Sequence, residues 1–153
     1  MSSFEILKSN GDLKEIIKTA FDSDLAITGD WGYTKETATV IQSSTVPLTQ
    51  FEHMFASMRA YVEMNMTLEK ADRYGSINVN IKKTIEAKEA KLHFHKVTYE
   101  ITAMKEEIYA TFINAYKEGY GKASFDLTAH FEARKKSTLH REVTHWFEIS
   151  QVA

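Results

Sequence analysis

Residues 91–104 read KLHFHKVTYEITAM. Side chains of a strand alternate between its two faces, so His93, His95, Val97, Tyr99 and Ile101 share one face. Two histidines thus extend a stripe that otherwise has the character of core. Leu92 and Phe94, on the other parity, are apolar as well. That pattern also suits a bulge near Lys96, which would switch faces and leave both histidines in solvent. The function of the histidines depends on this one pleat.

Before this strand, residues 77–85 alternate Ile77, Val79 and Ile81 with polar neighbours, as a half-buried strand does. The charged residues 82–91 then read as the exposed end of a hairpin. Residues 12–21 place Leu13, Ile16, Ile17, Ala20 and Phe21 on one helical stripe, and Asp12 with Glu15 has capping-box spacing. Residues 25–43 read as a strand hairpin turning around Gly29 and Gly32. From Pro47 to about residue 68, Phe51, Met54, Phe55, Met58, Tyr61 and Val62 predict a helix, with Thr49 and Glu52 as a second capping box.

Residues 103–118 have helical starts and stops: Glu106 and Glu107 early, Lys117 late, and Gly119 just beyond. Residues 125–131 alternate like a strand, although Leu127, Phe131 and Arg134 also suit a short helix. Arg134-Lys135-Lys136 then reads as a polar hairpin end before a strand over 139–149. The predicted class is one α+β domain over 1–153, a mainly antiparallel sheet with about three helices packed on one face.

The 153 residues suffice for a proper core, and 43% apolar with 26% charged residues is ordinary for a globular chain. A net charge of −2 argues against a binder of nucleic acid, which needs a basic face. There is no cysteine, hence no disulfide, thiolate ligand or cysteine nucleophile. The first residues lack the features of a secretory signal, and no apolar run is long enough to span a membrane, so cytoplasmic residence is the default expectation. No P-loop, HExxH, EF-hand or nucleophile-elbow motif occurs.

Four constellations remain. His93 and His95 can converge on a metal, with His145 as third imidazole and His130, Glu100 or water as fourth ligand; hydrogen-bonded histidines with no metal are the plainer reading. Trp31, Tyr99, Tyr116 and Trp146 offer walls for a small apolar or aromatic ligand, or simply core. Met54 and Met58 suit the core, and Met64 and Met66 suit an extended contact surface between copies. Trp31, between Gly29-Asp30 and Gly32, suits either an exposed anchor for a partner or a lid on the sheet. The leading expectation is a non-catalytic domain that binds a small ligand or protein partner and self-associates as a homo-oligomer. The alternative is an enzyme with a histidine-based metal or acid/base site in an aromatic pocket.

Overall fold

The alternation is unbroken. Val97, Tyr99, Ile101 and Ala103 are buried on one face of a long strand, and His93 and His95 belong to that face. The computed structural model describes residues 4–153. In chain order it contains α1 (Leu13–Phe21), β1 (Ile27–Gly29), β2 (Thr39–Ile41) and α2 (Leu48–Tyr61), then β3 (Tyr74–Glu89) and β4 (Leu92–Lys105). α3 (Glu106–Gly119), α4 (Leu127–Lys136) and β5 (Leu139–Glu148) complete it. A π-helical turn, Val62–Met66, continues α2.

The strands form one sheet in the order β1-β2-β5-β4-β3, antiparallel throughout except where β2 runs parallel to β5. The β4–β5 register proceeds from Phe94 opposite Glu148 to Ala103 opposite Leu139 without a shift, so β4 has no bulge at Lys96 on that side. Phe94 is buried on the other face, its ring 6.2 Å from that of Trp146. Phe94 and Met104 of the other parity are buried as well, because both faces are partly covered. The face of Val97 is the inner face below, and that of Phe94 the outer.

α2 lies on the inner face, where Phe55 contacts Trp31 and Phe147 with ring centroids 5.8 and 6.4 Å apart. α1 adds Leu13 and Ile17 to the same core. The buried stripe of α2 is Phe51, Glu52, Phe55, Ala56, Arg59 and Ala60, rotated from the one its apolar residues suggest. Tyr61 is exposed, while Met54 and Met58 pack at the core's edge. Charged side chains turn inward because each finds partners there. Arg59 donates to the carbonyls of Trp31 and Thr144 and lies 4.4 Å over the Tyr33 ring. Glu63, in the π-helical turn, accepts from Arg141 at 2.9 Å and from the Tyr33 hydroxyl. The capping box read at Thr49 and Glu52 does not form: Pro47 holds the N-cap position and Glu52 faces the sheet.

α3 and α4 pack elsewhere. Tyr109, Arg134 and Lys135 of these helices enclose a small cavity with Asn78, Thr102 and Met104, which point from the outer face. The expectation of helices on one face is therefore corrected: α1 and α2 cover the inner face, and α3 with α4 one end of the outer. β4 runs on to Lys105, which delays α3, and its first N–H then bonds the Arg73 carbonyl beside the sheet. Residues 127–136 are helix, not strand, because the Asp126 carboxylate accepts from the Ala129 N–H and caps the first turn. Arg134, Lys135 and Lys136 lie in the last turn of α4, where cations oppose the carbonyl end of the dipole. Among the described residues, no helix is long and apolar enough to cross a membrane.

Candidate metal centre

A bulge does occur next to the histidines, one strand away from where the sequence suggests it. Ile81 pairs with Tyr99 but Lys83 pairs with Thr98, so β3 carries one extra residue, Lys82. Before it Val79 and Ile81 lie on the inner parity; after it Thr84, Glu86 and Lys88 do. The bulge thus brings Glu86 inward, opposite His95. Re-aiming one side chain is a common use of a bulge.

Glu86, His93 and His95 each offer a donor atom, and the three lie within 4.8 Å of one another. His95 Nε2 is 3.5 Å from one Glu86 oxygen, and His93 Nε2 is 3.9 Å from the other. Donors around a tetrahedral zinc ion at about 2.0–2.2 Å stand roughly 3.5 Å apart, so closing on a metal brings even the widest donor pair, within 4.8 Å here, together by only about 1.3 Å or less. The Glu86 carboxylate, 65% exposed, has the freedom to make it. His93 Nε2 is buried with no hydrogen-bond partner among the described residues. A buried ring nitrogen without a partner is costly unless something else occupies its lone pair or proton.

On the far side of His95, Glu52 accepts from Nδ1 at 2.8 Å. This assigns the proton to Nδ1 and leaves the Nε2 lone pair facing Glu86. Burial pushes the Glu52 carboxyl above the ordinary carboxylate range, while the hydrogen bond from His95 opposes that rise. Carboxylate, imidazole and donor position stand in sequence, as they do around metal-ligating histidines.

No protein family, curated protein or solved structure matches this chain. Its chemistry is therefore read from its own residues. His93 and His95 come together; His145 does not join their donor group. The His145 ring stacks on Phe147 at 4.1 Å, and its Nε2 meets the Thr39 hydroxyl at 3.0 Å. Gly32, at φ +86°, lies against it so closely that a Cβ would come within 2.3 Å of the ring. His130 is buried in an aromatic cluster between α3 and α4, and Glu100 lies near Lys82 and His140. Neither belongs to the donor group.

The aromatic residues do not share one cavity. Trp31 and Tyr99 are buried in the inner core, so Trp31 is no exposed anchor. Trp146 belongs to the outer face, and Tyr116 packs at tilted and edge-on angles among Tyr120, Phe125, His130 and Phe131. Met64 is fully buried, leaving only Met66 of that pair exposed.

Complete burial, with the Arg59 charge nearby, holds the His145 pKa well below its ordinary value. Below about pH 6.5 the unfolded chain takes up a proton here that the folded chain refuses. This residue therefore contributes stability that is present above that pH and lost as pH falls, by up to about 1.4 kcal/mol per unit. Glu52, with its raised carboxyl, works in the opposite direction in the acid range. Urea unfolding between pH 7 and 5 is expected to show a steeper loss for the wild type than for His145→Gln. Equal slopes would contradict the assignment.

Proposed function

We propose that this protein is a metal-binding domain that holds one divalent first-row transition-metal ion through His93, His95 and Glu86. The observation that carries the reading is the convergence of these three donors within 4.8 Å, produced by the β3 bulge. Two imidazoles and one carboxylate are donors that suit zinc, and also iron, cobalt or nickel in the same charge state. Three protein ligands leave a fourth position for water or an exogenous ligand. With neutral imidazoles, the charges of Glu86 and the buried Glu52 balance a dication. Glu52 lies outside the coordination sphere and fixes the orientation of His95.

The test is equilibrium dialysis of the purified chain against Zn²⁺, with elemental analysis. One zinc per chain is expected. At a free concentration about 100-fold above Kd, the stabilisation is about 2.7 kcal/mol, seen as a rise in Tm of roughly 5–10 °C. Ligating histidines must be deprotonated, so the gain should shrink on acidification. A chain that takes up no zinc, cobalt or nickel at roughly 100 μM free metal, which is a weak affinity on this scale, would overturn the proposal.

A further inference from the structure

A second feature lies on the outer face, away from the histidines. A cavity of about 640 Å³ opens between the connection from β1 to β2 and the end of the β3–β4 hairpin. That volume is typical of small-molecule pockets, which span about 300–1,000 Å³. One cross-strand row forms part of its wall: Val40 is opposite Glu148 in one pairing, and Phe94 is opposite Glu148 in the next. Leu92, nearly half exposed, extends the apolar surface.

Glu148 therefore sits between an aliphatic and an aromatic neighbour. Among the described residues no salt bridge or side-chain hydrogen bond engages it, although Lys35 lines the same cavity. Lys35 is held by Glu89, in a pair that ties the β1–β2 connection to the hairpin end. The Asp30 carboxylate is also occupied, accepting from the backbone N–H groups of Ser9 and Trp31. Among the described residues the free charges in the cavity, Glu148 and Glu36, are both negative, and the surface around Glu148 is apolar.

We propose that this cavity binds a small organic cation, a primary amine with an apolar body. The ammonium group meets Glu148, and the body lies on Phe94, Val40 and Leu92. Opposite charge selects the ligand and like charge rejects acids. Glu89 engages Lys35, the one lysine among the described residues that line the cavity, and so leaves Glu148 without a competing cation there.

Titration with phenethylamine, followed by ligand-observed NMR, tests this directly. Saturable binding in the range of about 0.1–1 mM is expected. Glu148→Gln, which keeps the side-chain shape and removes the charge, should weaken it by at least about tenfold with Tm unchanged. On the wild-type protein, 3-phenylpropionate has a similar body and the opposite charge, and should also bind at least about tenfold more weakly. This comparison stands even where the variant fails to fold. Equal binding of the acid and the amine, full affinity in the folded variant, or no saturation by phenethylamine up to about 10 mM would overturn the proposal.

Discussion

His93→Ala is expected to lower zinc affinity by on the order of 100-fold or more, because a lost ligand costs at least as much as a lost outer partner. The donor group falls from three protein atoms to two, and the open side of the site becomes wider. Stability without metal should hardly change, since His93 Nε2 has no hydrogen bond to lose among the described residues. His95→Ala should abolish binding as well, but it also strips the buried Glu52 of its partner. That variant should lose about 1–3 kcal/mol even without zinc. Glu52→Gln distinguishes orientation from ligation: affinity is expected to fall about 10–100-fold while the stoichiometry stays at one. Zinc affinity unchanged in His93→Ala would remove the site.

The largest effect on stability is expected at Glu63. It is 2% exposed and joins Arg141 to the Tyr33 hydroxyl, linking α2 to β5 and to the β1–β2 connection. Arg59, equally buried, forms no salt bridge among the described residues, and Glu63 supplies the negative charge that most supports its cation. Glu63→Ala leaves two guanidinium groups uncompensated in or near the core. Removing one partner of such a buried set costs about 3–5 kcal/mol, which for this chain length lowers Tm by roughly 10 °C or more. Glu63→Gln, which retains acceptor capacity without charge, should lose less. Urea unfolding decides it: a loss below about 1 kcal/mol in Glu63→Ala would mean that the set contributes little.

Local pattern and tertiary structure divide at identifiable residues. Period-two alternation puts His93 and His95 on one shared face but leaves open whether a bulge near Lys96 turns that face to solvent. The unshifted β4–β5 register decides for the core side. The alternation over 125–131 misleads, because one capping carboxylate, Asp126, outweighs it. The apolar residues of α2 point to the wrong stripe for a related reason. A buried charge costs little once partnered, and Arg59 and Glu63 have partners 28 to 85 residues away in the chain. No local periodicity reports such partners.

The candidate metal centre shows the same division. The sequence by itself determined the α+β class, the hairpins and the shared face of the two histidines, because these follow from side-chain period within one segment. Only the tertiary structure decided the third and fourth members. Glu86 turns inward because Lys82 is extra in the β3–β4 register, and Glu52 reaches His95 because α2 crosses that part of the sheet. His145 shares the histidines' face but lies two residues further along the sheet, beyond Phe147, so face alone does not bring donors together. Strand pairing and helix placement are set by contacts distant in sequence, and there the pleat of residues 91–104 acquires its chemistry.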